Sequence, residues 1–370
     1  MRYYIIAGEA SGDLHGSNLI AQLKLHDENF NARCWGGDLM LAQGTTVVKH
    51  FKELAFMGFL EVVKNLPTIL KNINFCKKDI EAFKPDVLIL IDYPGFNLRI
   101  AEWAKKKGYK VVYYIAPQVW AWKANRVKKM KQCIDLMLCI LPFEKAYFKD
   151  VWNWDVSYVG HPLIEVIDSF KLNNNHLQKE NIIAIVPGSR KQEIAKKLPI
   201  MLQVSKLWPQ YNFVVAKAPG LEDDFYAGFL QPYSNVSAVS NKTYELLSKA
   251  QAAMVTSGTA TLETALFNVP EVVCYKTSNI SYAIGKRLIK IKFIALVNLI
   301  MNKLVVKELI QKDLTPNKIA EALNPLLLIN SNEYNQQQND YKNLYQLLSN
   351  GGFASKQAAT KIKQFLEQKS

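Results

Sequence analysis

From Val87 to Ile91 the chain reads VLILI, five apolar residues in succession, and then stops abruptly on Asp92. A strand with one wet face alternates apolar and polar residues. A strand with no polar position must be covered on both faces, as in the centre of a parallel α/β sheet. The same signature recurs at YYIIA (3–7), KVVYYIA (110–116), DLMLCIL (135–141) and VSYVG (156–160). It restarts at IIAIV (182–186) and continues through YNFVVAKA (211–218), AAMVT (252–256) and EVVCYK (271–276). Helix-periodic stretches such as 16–25, 98–107 and 191–207 separate these runs, which is the βαβ pattern. We therefore expect an α/β chain of two Rossmann-like domains.

The expected boundaries follow composition. Residues 1–165 form the first domain and 182–342 the second. The asparagine-rich FKLNNNHLQKEN (170–181) lies within a linker at 166–181. A second polar stretch, INSNEYNQQQND (329–340), precedes a closing helical segment, 343–370, expected to pack back on the first domain. A length of 370 residues with 49% hydrophobic and 21% charged residues suits two globular domains rather than a disordered chain. The N-terminus has no basic region or cleavage pattern of a signal peptide, and no apolar stretch approaches the roughly 18 residues of a spanning helix. A soluble, cytoplasmic protein is the expectation. The five scattered cysteines, in no ligand spacing, read as buried thiols.

In open α/β sheets ligands bind beyond the carboxyl ends of the strands, so the residues just after each strand carry the information. The first strand leads into GEASGDLHG, glycine-rich but holding Glu9, Ser11 and Asp13 and no lysine or arginine. Such a loop repels a diphosphate and suits sugar hydroxyls. Asp92, at the tip of VLILI and followed by Pro94, Gly95 and Asn97, is a natural general base, and equally a helix cap. Two strand ends of the second half suit phosphate instead. PGSR (187–190) offers a close-approach glycine and the Arg190 fork, and TSGTATLE (256–263) offers Ser257, Gly258 and Thr259 at a helix start with Glu263 one turn in. Each loop alone is also what a capped helix after a buried strand looks like. Neither is a P-loop or a GxGxxG. Trp120 and Trp122 read as core or sugar-stacking indoles, His161 as structural, and the acidic 222–224 run as a solvated face. No His/Cys/Asp/Glu cluster has metal-ligand spacing, so neither a metal nor another cofactor is expected.

With AGEASGD (7–13), LAFMGFLEV (54–62), IDYPGFN (91–97), APQVWAW (116–122), LPFEK (141–145), VGHPL (159–163), PGSR (187–190) and SGTATLE (257–263) in order, the chain resembles the lipid-A-disaccharide synthase family, across about residues 1–325. The resemblance implies a GT-B fold, with two Rossmann-like domains facing a cleft that closes. It also implies a metal-independent, inverting transfer of a UDP-linked 2,3-diacylglucosamine to 2,3-diacylglucosamine 1-phosphate in lipid A biosynthesis. Under it, Asp92, Glu9 and Arg190 are catalytic. Ser11, Asp13, Asn97, Ser257, Gly258, Thr259, Glu263 and Asn298 bind substrate. Lys303 stands where the family commonly has arginine, in a VNLIMNK that lacks the family's proline.

Lysine and arginine total 46 against 32 acids, a net +14, so an anionic partner is expected. An inner-membrane surface fits substrates with acyl chains. FKELAFMGFLEVVKNLPTILKNI (51–73) is apolar, and Lys286, Arg287, Lys290 and Lys292 accompany apolar residues at 286–306. At about 1 kcal/mol each, those four give roughly 4 kcal/mol, about millimolar affinity, so association is reversible and needs the apolar segment too. A homodimer is compatible with the sequence. Two rivals remain at this stage: a UDP-N-acetylglucosamine 2-epimerase or another UDP-sugar enzyme of the same fold, and a basic nucleic-acid-binding protein. Against the second, the basic residues are dispersed and match no nucleic-acid motif, so no nucleic acid is expected.

Overall fold

The computed structural model describes residues 1–54, 66–279, 282–283, 287 and 291–368. The segment 55–65, Lys286 and Lys290 therefore lie outside the described residues, and with them about half of the apolar stretch 51–73 read as membrane-facing. The chain divides into two compact units, Met1–Pro162 with Leu348–Ser370, and Leu163–Leu347.

The first unit holds a seven-stranded sheet. Its strands are β1 (Arg2–Ala7), β2 (Asn31–Gly36), β3 (Thr46–His50), β4 (Val87–Ile91), β5 (Lys110–Tyr114), β6 (Leu136–Cys139) and β7 (Ser157–Tyr158). They run in the order β3-β2-β1-β4-β5-β6-β7, every pair parallel. Alternate residues of β1 enter opposite cores: Tyr4 and Ile6 pack with Leu88, Leu90 and Val111, while Tyr3, Ile5 and Ala7 pack with Ile89, Ile91 and Val112. Both faces of VLILI are thus buried, which is why no polar residue interrupts it. The last helix, Ala354–Glu367, belongs to this unit and sets Ala358, Ala359 and Ile362 against Leu19, Ile20 and Leu23 of the first helix, Ala10–Lys24. Small residues on one helix face let the two backbones approach. The turn before it is as tight: a Cβ on Gly160 (φ +87°) would lie 2.3 Å from the carbonyl oxygen of Gly352.

The second unit holds six parallel strands, β8 (Ile182–Val186), β9 (Asn212–Lys217), β10 (Val236–Ser240), β11 (Ala252–Val255), β12 (Glu271–Tyr275) and β13 (Lys307–Ile310). Their order is β10-β9-β8-β11-β12-β13. Its core joins Ile183, Ile185, Met254, Val272 and Cys274 to Leu198, Met201 and Leu323 of covering helices.

Two polar stretches are more structured than their composition suggests. The helix Pro162–Asn173 takes up the start of FKLNNNHLQKEN, and Lys179 is pinned by donating to the carbonyls of Leu247 and Ala250 at 3.2 and 2.7 Å. The glutamine-rich stretch forms the first half of the helix Asn332–Ser349. There Gln337 is buried, its carbonyl accepting from the Glu271 N–H at 2.9 Å, so its polarity serves the sheet edge rather than water.

Candidate active site

Each sheet reverses its strand order once, between β1 and β4 in the first unit and between β8 and β11 in the second. These are the topological switch points at which a doubly wound sheet opens a ligand crevice. Glu9–Asp13 and Asp92 follow the first pair of strands; Pro187–Arg190 and Thr256–Glu263 follow the second.

In the first unit Asp92 and Tyr93 both take left-handed backbone, φ +44° and +48°. Each such non-glycine residue costs about 1–3 kcal/mol and persists only where its surroundings over-determine it. Here the Asp92 N–H donates to Tyr114 O at 3.0 Å, and its carbonyl accepts from the Tyr113 hydroxyl at 2.5 Å and from Asn97 Nδ2 at 2.8 Å. The Asn97 amide nitrogen also reaches Ile91 O at 3.2 Å. Tyr93 folds over Gly8, where a Cβ would sit 2.3 Å from the ring, so this glycine is required by close approach. The Asp92 carboxyl itself is half-buried. Burial, and secondly the charge of Glu9, raise its pKa to about 6. Glu9 and Ser11 are exposed at the start of the first helix, and Glu9 makes no capping bond.

Two expected substrate ligands in this unit face inward. Asp13, 3% exposed, accepts from the N–H groups of Gly37, Leu39 and Met40 at 2.7, 3.1 and 3.1 Å, and so caps the short helix Asp38–Ala42. Asn97 is fully buried on the strand-end carbonyls. Both hold the loop ends in place: the Asp13 carboxylate is engaged by three N–H groups, and the Asn97 amide nitrogen is spent on strand-end carbonyls while its Oδ1 is buried without a partner. Sequence reading gave Glu144 no role, yet it lies beside this site. Its carboxylate accepts from Trp120 Nε1 at 3.1 Å and from the N–H groups of Leu141 and Ile140 at 3.0 and 3.3 Å, while burial pushes its pKa up to about 7. The signal was available: Pro142 followed by Glu144 is the opening of a capped helix. This bond also gives Trp120 its place. His161 is buried, and burial followed by the charge of His15 lowers its pKa to about 3, as expected of a structural histidine.

In the second unit Gly188 has φ +107°, and a Cβ there would press within 3.2 Å of Thr256 Cγ2 and 3.5 Å of Lys197 Nζ. Arg190 precedes the helix Lys191–Gln203 with its side chain 70% exposed and an ion pair of 3.4 Å to Glu193. Below the loop Lys197 is fully buried, donating to Thr256 Oγ1, with Glu193 Oε2 3.6 Å from its nitrogen; burial lowers its pKa. No sequence signal marks it, since a lysine among helix lysines reads as surface. Gly258 (φ +133°) opens the helix Thr259–Leu266 without a capping side chain, leaving first-turn amides for an anion. Glu263 Oε1 accepts from the Tyr244 hydroxyl at 3.0 Å, and burial raises its pKa. Thr259 is exposed.

Asn298, Lys303 and the Ser257 hydroxyl are engaged internally. Ser257 Oγ donates to Ile294 O at 2.7 Å. The N–H groups of Ile294 and Ala295 donate to Glu308 at 3.0 and 2.9 Å. Asn298 is fully buried, donating to Val306 O and Glu308 and accepting from the N–H groups of Val305 and Val306, all at 2.8–2.9 Å. SGTATLE and VNL are therefore one bonded assembly, in which Asn298 is a brace. Lys303 pairs with the buried Asp340.

A family model described as lipid-A-disaccharide synthetase matches residues 3–363. A lipid-A-disaccharide synthase from Coxiella burnetii is 40% identical over 344 residues, 90% of each chain. Among solved structures, the glycotransferase of kitacinnamycin superposes with TM-score 0.68 at 12% identity over 98% of each chain. The UDP-GlcNAc 2-epimerase from Neisseria meningitidis, solved with UDP-GlcNAc bound, reaches 0.66 at 14% identity over 100% of each. At such identities these two likenesses bear on the fold alone, which is that of GT-B glycosyltransferases and epimerases. The match along nearly the whole length decides between those classes: the chain belongs to the lipid-A-disaccharide synthetase family of glycosyltransferases.

Proposed function

We propose that this glycosyltransferase condenses UDP-2,3-diacylglucosamine with 2,3-diacylglucosamine 1-phosphate, giving the β-1′,6-linked disaccharide 1-phosphate and UDP. The acceptor is bound by the first unit and the donor's UDP by the second. The observation that carries this division is the chemistry at the two switch points: a carboxyl of raised pKa beside a first loop without lysine or arginine at one, a guanidinium and uncapped helix amides at the other.

In this reading Asp92 accepts the proton of the acceptor's 6-hydroxyl as O6 attacks the anomeric carbon. The O6–C1 bond forms, the bond from C1 to the β-phosphate oxygen breaks, and UDP leaves with the electron pair. Attack opposite the leaving group inverts the anomeric centre. Charge growing on the β-phosphate is met by Arg190 and the amides at Ser257, Gly258 and Thr259, in a preorganised arrangement. Glu263 accepts from ribose hydroxyls. Glu9 and Ser11 face sugar hydroxyls, and Glu9 keeps Asp92 basic. Asp13, Asn97 and Asn298 act by positioning. Among the described residues no helix is long and apolar enough to cross a membrane. Acylated substrates and the net +14 support reversible association with the cytoplasmic face of the inner membrane.

The test is an assay with both lipids, in detergent, with and without chelator. UDP release matched by disaccharide phosphate, and unchanged by EDTA, is the expected result. Release of UDP without need of an acceptor, or abolition by EDTA, would contradict the reading.

A further inference from the structure

Within the first unit the helices Pro94–Lys106 and Arg126–Cys133 enclose a groove of about 260 Å³ that the mechanism above does not use. Its walls are of two kinds. Leu98 and Met130 are apolar, whereas Arg99, Arg126 and Lys129 are cationic, with Glu102 as the acid among them. The Glu102 charge is already answered, 2.6 Å from Lys129 and 3.8 Å from Lys106. Arg99 and Arg126 have no carboxylate partner among the described residues, and there they are the groove's two unanswered guanidinium groups. Arg126 lies 5.8 Å from the ring of Trp122, itself 47% exposed and capped by Lys123 at 4.1 Å. A guanidinium beside an indole face still has its N–H edges free for an anion.

We infer that this groove, through Arg99 and Arg126, receives the phosphomonoester of the acceptor lipid, with Leu98 and Met130 against its apolar part. The inference rests on the reading of Asp92 as the acceptor's base. Gly95 lines the groove and follows Asp92 by three residues, so chain geometry keeps the two within about 11 Å. A glucosamine 1-phosphate carries its phosphate on C1 and its 6-hydroxymethyl group on C5, the two carbons that flank the ring oxygen, so the two groups stay within about one sugar's width of each other. With the hydroxyl at Asp92, the phosphate falls at a neighbouring site, and this groove is the neighbouring cluster of cations. Two forked donors match a phosphate's oxygens bidentately, which a lysine pair would not. Beyond Gly95 the surface is open, with no atom within 4 Å of where its Cβ would be, which gives the phosphate a way in.

The test compares two acceptors in detergent without phospholipid: 2,3-diacylglucosamine 1-phosphate, and the same lipid with a 1-O-methyl group in place of the phosphate. Wild type should prefer the phosphate. Arg126→Gln and Arg99→Gln should each lower that preference roughly tenfold to a hundredfold, mainly through KM, and Arg126→Lys should recover part of it. Arg99 is exposed, so its variant carries the test if Arg126→Gln fails to fold. Folded variants that keep the full preference would overturn the inference, as when the groove serves only bilayer headgroups. Variants that lose rate equally on both acceptors would overturn it too, showing a structural role. Wild type that uses neither acceptor would instead remove the parent reaction, and the groove's ligand with it.

Discussion

At the scale of single residues the account turns on Asp92, whose strained backbone is held by Tyr113, Tyr114 and Asn97 while its carboxyl is left for chemistry. Asp92→Asn should preserve the fold, with a melting temperature within about 3 °C of wild type. It should lower kcat about 10²–10⁴-fold, as read by UDP release. A base works deprotonated, so kcat/KM should fall as pH drops through about 6. Burial is the larger cause of that value and Glu9 the second. Glu9→Gln should therefore move the acidic limb to lower pH without abolishing it, which a pH–rate profile will show. Glu271 offers a residue-scale test of stability. It is fully buried beside the Tyr341 hydroxyl, and burial raises its pKa well above the ordinary value, against a smaller lowering by that hydroxyl. A carboxyl whose folded pKa is raised holds its proton in the native state, so stability is lost as pH rises above the unfolded value near 4.3. The advantage of Glu271→Gln over wild type in denaturant midpoint should accordingly grow between pH 5 and pH 8.

At the scale of elements, what the sequence made legible divides along burial. Apart from β2, the strands covered on both faces announced themselves as apolar runs, and the loops at both switch points were found by looking just past those runs. β10, β13 and β3 were not recognised. They are sheet edges, half wet, and VSAVS, KELI and TVVKH carry no continuous apolar signal. β2 was missed because Arg33 interrupts it, a residue whose charge is answered by Asp79 at 2.7 Å from a distant helix. The braces were legible as residues but not as braces: nothing local distinguishes an asparagine that bonds a ligand from one that bonds carbonyls across a turn. Asn298→Ala would orphan the N–H groups of Val305 and Val306 together with Val306 O. It should cost about 3 kcal/mol or more in urea unfolding. Asn97→Ala should lower kcat through misplacement of Asp92 while UDP affinity stays at the wild-type value, measured by calorimetry. Gly8→Ala would force the Tyr93 ring away and should cost about 1–3 kcal/mol.

At the scale of the whole molecule, the repeat of one architecture in two units assigns opposite chemistries to equivalent places, strand ends at a reversal of strand order. Composition pointed to two domains and to an anionic partner but was silent on which lobe would hold which substrate; the placing proposed above draws on the absence of lysine and arginine in residues 7–13 and the presence of Arg190 after β8. Lys197, buried beneath the glycine turn, could not be read from sequence, because its burial is set by Thr256 and Gly188, far away in the chain. The division of labour between lobes is tested most directly by a crystal structure of the protein with UDP. The account predicts the diphosphate beside Gly188, Arg190 and the amides at Ser257–Thr259, with the ribose at Glu263. A nucleotide lodged against Gly8–Asp13 in the first unit would contradict it.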